Sequence, residues 1–130
     1  MRDGKPLVLI VDDEPMFREI FRAKFESAGL SIETAFNGEE GIIKAKTLKP
    51  DLVLMDMKMP GMTGADALLK LKEDPETKNI KVVFLSSIGD ARKEMQAIDN
   101  KMSQDLGAAG YLKKTDDLEN LLKDVQSYLQ

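Results

Sequence analysis

Five short runs of apolar or alternating residues recur along the sequence, and each is followed by a segment with helical spacing. Uninterrupted apolar runs of this length, rich in β-branched side chains, are typical of parallel strands buried on both faces. The predicted strands cover residues 7–11, 31–35, 52–55, 81–85 and 108–112. The second is the weakest, because its apolar residues alternate with polar ones. This order of elements favours the α/β class.

Five helices are predicted between and after these strands. Pro15 suits the first turn of the first helix, and Gly29 ends it. Asn37 and Gly38 form a turn before the second helix, which Pro50 terminates. The helices are predicted at residues 15–28, 39–48, 65–72, 90–106 and 116–129. Helical spacing selects as their core-facing residues Phe17, Ile20, Phe21, Phe25, Ala28, Ile42, Ile43, Ala45, Leu48, Leu68, Leu69, Leu71, Leu118, Leu121, Leu122, Val125 and Leu129.

Alternating strands and helices with short connections predict one domain, residues 1–130, built on a doubly wound five-stranded parallel sheet. Two five-strand orders fit this pattern. The flavodoxin-like order 2-1-3-4-5 is favoured because it places the first and third strands side by side. In that order Asp12, Asp13 and Asp56 share one crevice at the strand ends. Ser86 and Lys114 lie on the same rim.

The composition excludes several kinds of site. The chain contains no cysteine and no histidine, so disulfides, Cys or His metal ligands and a histidine phosphocarrier are excluded. Oxygen ligands remain, and these favour a hard cation such as Mg²⁺. With a net charge of −4, no nucleic-acid partner is expected. No apolar run approaches the length of a membrane span and residues 1–6 do not form a signal peptide, so we expect a soluble, cytoplasmic protein.

The three carboxylates predicted at one edge of the sheet have a definite chemical meaning. Asp12, Asp13 and Asp56 would repel one another unless a divalent cation balanced their charge. Mg²⁺ typically uses one or two carboxylates plus a phosphate, which leaves room for a phosphoryl group. Asp56 can then act as a nucleophile in phosphoryl transfer, while the Lys114 ammonium and the Ser86 hydroxyl bind phosphoryl oxygens.

Four sequence segments, in order and each at a predicted strand end, identify a family. They are VDDE at 11–14, DMKMPGMTG at 56–64, LSS at 85–87 and GYLKK at 110–114. Together they resemble the receiver domain of bacterial two-component response regulators, including the stand-alone chemotaxis-type regulators. An acidic pair alone would be a weak signal, but the resemblance covers essentially the whole chain.

The resemblance implies a metal site and a phosphoacceptor. Asp56 would be the phosphorylated residue. Asp13 and Asp56 would bind Mg²⁺ directly, Asp12 would bind it mainly through water, and the backbone carbonyl of Lys58 would be a further ligand. The alternative for Asp12 is that it simply caps the first helix.

The resemblance also implies residues that bind and sense the phosphoryl group. Lys114 would bind a phosphoryl oxygen, with Lys113 as the alternative, and Ser86 and Ser87 would contribute hydroxyl groups. Ser86 and Tyr111 would form a switch pair. Tyr111 could instead be an ordinary packing residue that moves little.

Three departures from the family pattern stand out. Thr115 follows Lys114 where the family usually has proline, often after a cis bond, so we expect a trans bond here, the alternative being a strained bond held by the site. Lys58 and Ile88 flank the acceptor, and a bulky Ile88 is predicted to slow hydrolysis of the acyl phosphate. Extra residues around 98–104 predict a lengthened fourth helix, which either continues the core-facing stripe or contacts a partner.

The expected function is a phosphorylation switch. A sensor histidine kinase or phosphotransfer protein would dock on the first helix near Pro15, Met16, Glu19 and Arg22 and phosphorylate Asp56. The surface made by the fourth helix, the fifth strand and the fifth helix would then change toward a downstream protein target. Such a protein is not a conventional enzyme, because it catalyses only its own phosphorylation and dephosphorylation. The oligomeric state is left open.

Two other classes share parts of this pattern. One is an interaction module of the same fold that no longer switches by phosphorylation, which Thr115 and the altered fourth helix would permit. The other is a Mg²⁺-dependent phosphohydrolase with an aspartyl phosphate intermediate. That class normally has a general acid two residues after its nucleophile, where this chain has Lys58, and a cap domain.

Overall fold

The computed structural model describes residues 4–86 and 107–130. The strands are β1 (Leu7–Val11), β2 (Ser31–Ala35), β3 (Leu52–Asp56), β4 (Val82–Ser86) and β5 (Gly110–Lys113). The helices within these ranges are α1 (Pro15–Ser27), α2 (Gly38–Leu48), α3 (Gly64–Glu73) and α4 (Leu118–Tyr128). Most bounds lie within one or two residues of the predicted ones. The predicted helix at residues 90–106 lies outside the described part of the chain.

The five strands form one parallel sheet in the order β2-β1-β3-β4-β5. The predicted α/β fold with flavodoxin-like strand order is therefore confirmed. β1 lies between β2 and β3, with Val11 opposite both Ala35 and Met55. Because all strands are parallel, their carboxyl ends meet at one edge of the sheet.

Helices cover both faces of the sheet, as the uninterrupted apolar strands predict. Every residue of β1, β3 and β4 is buried. On one face β1, β3 and β4 pack against α1 and α4, whose fully buried side chains include Phe21, Phe25, Leu121 and Val125. On the other face they pack against α2 and α3, where Ala45, Leu68 and Leu71 are buried. Removing these two apolar layers from water is the main force that holds the fold together.

Two polar side chains set where helices begin. The Asn37 side chain accepts a hydrogen bond from the Glu40 N–H at 2.8 Å, so Asn37 is the N-cap and Gly38 the first residue of α2. The prediction of a separate Asn37-Gly38 turn before a helix beginning at Glu39 was wrong by one residue. Thr63 caps α3 in a reciprocal arrangement with Asp66.

Four predicted core-facing residues are instead exposed. Ile20, Ile43 and Leu69 have 45%, 64% and 45% of their surface accessible, and Ala28 is exposed beyond the end of α1. Helical spacing identifies an apolar stripe, but the stripe is wider than the face that contacts the sheet. Among the helices described, none is long and apolar enough to cross a membrane.

The last helix closes over the beginning of β5. The Tyr128 hydroxyl packs directly against Gly110, and a Cβ atom at this position would overlap it. The Lys81 ammonium donates a hydrogen bond to the Tyr128 carbonyl oxygen at 2.5 Å. The C-terminal end of α4 is thereby joined to the beginnings of β4 and β5.

Candidate functional site

Three carboxylates converge at the carboxyl edge of the sheet. Asp12 follows β1 and Asp56 ends the neighbouring β3, and both are almost completely buried. One carboxylate oxygen from each of Asp12, Asp13 and Asp56 lies within 4.8 Å of the others. The strand order therefore brings together the acids that the sequence predicted at one crevice.

Asp12 is held in place by several hydrogen bonds. Its Oδ1 accepts from the Glu14 N–H at 2.9 Å, and its backbone carbonyl accepts from the Arg18 guanidinium at 2.6 Å. The N-cap of α1 is Glu14, so Asp12 supports the connection into the helix and is not its N-cap residue. Its other oxygen, Oδ2, is buried and faces the Lys114 ammonium.

Lys114 points its ammonium into this acidic edge. Its Nζ lies 2.8 Å from Asp12 Oδ2 and 3.7 Å from Asp56 Oδ2, and it also forms an ion pair with Glu14. The contact with Asp12 is thus a buried ion pair. The Lys114 side chain is only 6% exposed, whereas Lys113 is exposed, so the structure brings Lys114 to the site.

The backbone on either side of Lys114 is regular. Its N–H donates to the Ser86 carbonyl oxygen at 2.7 Å, which extends the pairing of β4 and β5 by one step. The Lys114–Thr115 peptide bond is trans, as predicted.

The charges at this edge interact strongly. Burial, followed by the neighbouring Asp12 carboxylate, raises the pKa of Asp56 to about 7. Burial also raises the pKa of Asp12, although Lys114 and the Glu14 N–H oppose this. Burial alone would lower the pKa of Lys114, but its contacts with Asp12, Glu14 and Asp56 outweigh burial and raise it. Within residues 4–86 and 107–130, the acids at this edge outnumber the Lys114 ammonium that pairs with them.

This donor set fits Mg²⁺. The three acids offer hard oxygen ligands at one point, and Lys114 supplies only part of the positive charge that they need. The Lys58 N–H donates to Asp56 Oδ1 at 3.2 Å, which leaves Asp56 Oδ2 as the oxygen nearer Lys114.

A tight loop after β3 keeps Asp56 in place. The Gly64 N–H donates to the Met57 carbonyl oxygen at 3.1 Å. A Cβ atom on Gly64 would overlap the Asp56 carbonyl oxygen and lie 2.9 Å from Met57 Cα. Gly61, with a φ of 79°, supplies the left-handed conformation in the same loop. The two glycines are therefore needed for the backbone of this loop to pass close to Asp56.

Ser86 and Tyr111 lie at adjoining strands. Ser86 is the buried last residue of β4, and Tyr111 is a half-buried residue of β5 opposite Phe84. Strand alternation places Ser86, Phe84 and Tyr111 on the same face of the sheet. The other two predicted residues of this region, Ser87 and Ile88, lie outside the described residues.

Glu14, Phe17 and Arg18 were not predicted as part of the site. Glu14 pairs with Lys114, the Phe17 ring lies beneath the same ammonium, and Arg18 binds the Asp12 carbonyl. The run of three acids at 12–14 could have indicated Glu14. No local signal marks Phe17, which the helical pattern assigns only to the core.

Known proteins share both the sequence and the fold. The profile of the response regulator receiver domain matches residues 8–126. PilH of Pseudomonas aeruginosa is 37% identical over 122 residues, which cover 94% of this chain and 96% of PilH. RpaA of Synechocystis, a DNA-binding dual master transcriptional regulator, is 31% identical over 96% of this chain, which spans only 49% of RpaA.

The structural comparison agrees with the sequence. The structure of the Vibrio cholerae chemotaxis protein CheY4 has a TM-score of 0.83 and 28% identity, covering 96% of this chain and 99% of CheY4. A profile match over most of the chain, relatives above 30% identity and the same strand order point to one family. The chain belongs to the receiver domains of two-component response regulators, which act as phosphoacceptor switches.

Proposed function

We propose that Asp56 accepts a phosphoryl group from the phosphohistidine of a sensor histidine kinase or a phosphotransfer protein. The observation that supports this most directly is the position of the Lys114 ammonium, 3.7 Å from Asp56 Oδ2 at the edge where three carboxylates converge. An Asp56 oxygen attacks the phosphorus atom, a P–O bond forms and the P–N bond to the donor imidazole breaks. The bonding electron pair stays with the imidazole nitrogen, which is free to take a proton from solvent.

Asp13, Asp56 and the Lys58 carbonyl would hold Mg²⁺ directly, and Asp12 would hold it mainly through water. When bound, Mg²⁺ balances the negative charge of the acids and of the phosphoryl oxygens. Asp12 keeps its orientation through the Glu14 N–H, and Asp56 through the Lys58 N–H.

Lys114 binds a phosphoryl oxygen by moving its ammonium from Asp12 toward Asp56, a short displacement within the observed ion-pair cluster. Ser86, at the buried end of β4, donates its hydroxyl to another phosphoryl oxygen, and Ser87 is assigned the same kind of role. This leaves each phosphoryl oxygen with a donor or a cation, as phosphoryl transfer requires.

The phosphorylated state is read through Ser86 and Tyr111, which share one face of the sheet on adjoining strands. Movement of Ser86 toward the phosphoryl group gives Tyr111 room to turn inward. The partner surface made by the segment after β4, by β5 and by α4 then changes and binds a downstream protein. The switch is a shift in population between two packings.

The proposed phosphorylation of Asp56 also implies a docking site for the kinase and a place of action. The kinase docks on α1, where Met16 is 74% exposed beside the acidic edge. The protein acts in the cytoplasm and catalyses only its own phosphorylation and dephosphorylation. Neither the non-switching module nor the phosphohydrolase gains support from a particular contact in the described residues.

Intact-mass analysis after incubation with acetyl phosphate tests the proposal. Wild type is expected to gain one phosphoryl group in the presence of Mg²⁺ and none in excess EDTA. Asp56→Asn is expected to gain none, while Asp124→Asn, which removes an exposed carboxylate of α4, behaves as wild type. Wild type that gains no adduct while binding Mg²⁺ indicates the non-switching module. Continuous release of phosphate without an adduct indicates the phosphohydrolase.

A further inference from the structure

An aromatic ring lies against the buried lysine of the site. Lys114 Nζ is 4.4 Å from the centroid of the Phe17 ring. A cation this close to an aromatic face is attracted by the ring quadrupole, and the attraction is largest where water is excluded. The Lys114 side chain is only 6% exposed, so this contact is well shielded from water.

The Phe17 ring belongs to an aromatic row along α1. Its centroid lies 4.0 Å from that of Phe21, which lies 4.8 Å from that of Phe25. Phe21 and Phe25 are fully buried in the core between α1, α4 and the sheet. Pro15, the first residue of α1, sets the turn from which Phe17 projects. The core therefore backs the ring at the edge of the site.

Charge alone does not determine where the ammonium rests. Lys114 has three acidic partners, Asp12, Glu14 and Asp56, and its four-carbon stem is flexible. Glu14, with 62% of its side chain exposed, can draw the ammonium toward solvent. An apolar face that attracts the cation and blocks one side of it restricts the ammonium to the buried side of this cluster.

We propose that Phe17 is a positioning residue for Lys114, whose ammonium it holds between Asp12 and Asp56. From this position a short movement toward Asp56 brings Lys114 to the phosphoryl group that Asp56 receives. The inference rests on the proposed function of Asp56 and deepens it, because it assigns a task to a residue of α1 that does not itself touch the phosphoryl group.

Phosphorylation kinetics with acetyl phosphate and Mg²⁺ test this task. Phe17→Leu is expected to slow adduct formation about threefold to thirtyfold, the range between an exposed and a desolvated cation–π contact. Phe17→Trp, which keeps an aromatic face, is expected to retain most of the rate. In a Lys114→Ala background, Phe17→Leu is expected to cause no further loss, because the ring then has no ammonium to hold. An equal loss in that background would show that the ring acts only on packing, and would overturn the proposal.

Phe25→Leu is the matched control, since it makes the same change at the far end of the aromatic row. It is expected to lower stability at least as much as Phe17→Leu and to leave the phosphorylation rate within twofold of wild type. A loss of rate as large as that of Phe17→Leu would contradict the proposal. Phe17→Met, which has no ring, replaces Phe17→Leu if that variant does not fold.

A measurement without phosphorylation separates this inference from the proposed function. The ring current of Phe17 is expected to move the NMR signals of the Lys114 Cε protons upfield in wild type. Phe17→Leu should move them back toward the values of an ordinary lysine. Identical chemical shifts in the two proteins would show that the ring does not lie against the Lys114 side chain, and would overturn the proposal. If wild type forms no phosphoryl adduct, the proposed function fails, and the NMR shifts still decide whether Phe17 positions Lys114.

Discussion

Asp56 sits where a carboxylate is costly to keep charged. It is nearly buried, and the adjacent Asp12 adds negative charge that Lys114 only partly balances. Its reactivity and its effect on stability therefore have the same origin. The folded protein without a metal is destabilised by the charge that a nucleophile needs.

Asp56→Asn is expected to stabilise the metal-free protein. The pKa of Asp56 is about 7 in the folded state against an ordinary value of 3.8, so folding favours the protonated acid. Its contribution to stability is fully present below pH 3.8 and is lost as the pH rises through 7. The variant should gain little at pH 4 and roughly 4 kcal/mol at pH 8, at about 1.4 kcal/mol for each pKa unit.

Urea unfolding in EDTA across this pH range checks the sign. Asp124→Asn controls for the loss of one negative charge on the surface. A gain that is constant between pH 4 and pH 8, or that shrinks as the pH rises, would contradict the argument.

Gly64→Ala is expected to destabilise the fold and to slow phosphorylation. The added Cβ would overlap the Asp56 carbonyl oxygen, so the loop or the end of β3 must shift, at a cost of about 2–3 kcal/mol. Gly61→Ala is the matched substitution, because its Cβ meets no atom within 4 Å and only its φ of 79° is unfavourable. It should cost about 1–2 kcal/mol and change the rate less. Equal rates for the two variants would show that the close approach to Asp56 is unimportant.

Helix ends illustrate how local chemistry sets the bounds of an element. Thr63→Ala removes the hydroxyl that accepts from the Asp66 N–H at 3.1 Å at the start of α3. The expected loss of stability is about 1 kcal/mol. Thr47→Ala, an exposed change inside α2, should leave stability unchanged or raise it slightly, because alanine has the higher helix propensity. Urea midpoints measure both, and equal effects would show that the cap contributes nothing specific.

The elements could be predicted well because their signals are local. Apolar runs with proline, glycine and asparagine at their borders mark the five strands and four described helices. The exposure of Ile20, Ile43 and Leu69 could not be predicted, since it depends on the rotation of each helix about its own axis where it packs on the sheet. Helical spacing is equally satisfied by an apolar residue at the rim of the buried face and by one beyond it.

The site is assembled from strand ends far apart in sequence. Residues at those ends could be predicted, whereas contacts between a strand end and a helix could not. Asp12, Asp56 and Lys114 were expected at one edge because parallel strands end together and the family motifs lie there. The contact between Phe17 and Lys114 joins a helix and a strand end that no periodic pattern connects. It depends on the packing of α1 against the whole sheet, and only the assembled molecule shows it.

Mg²⁺ is expected to stabilise the whole domain, because the unfolded chain does not hold the three acids together. Thermal unfolding of wild type should shift upward when Mg²⁺ replaces EDTA. Asp13→Asn should lose most of this shift, and Asp124→Asn should keep it. A full shift for Asp13→Asn would exclude that carboxylate from the metal site.

The contact between Tyr128 and Gly110 has a practical consequence for spectroscopy. The chain has two tyrosines and no tryptophan, so fluorescence excited in the tyrosine band comes from Tyr111 and Tyr128. Tyr128→Phe keeps the ring over Gly110 and leaves Tyr111 as the only tyrosine emitter. The protein then contains its own optical reporter on β5, and rapid-mixing fluorescence can follow that strand during phosphorylation without an attached dye.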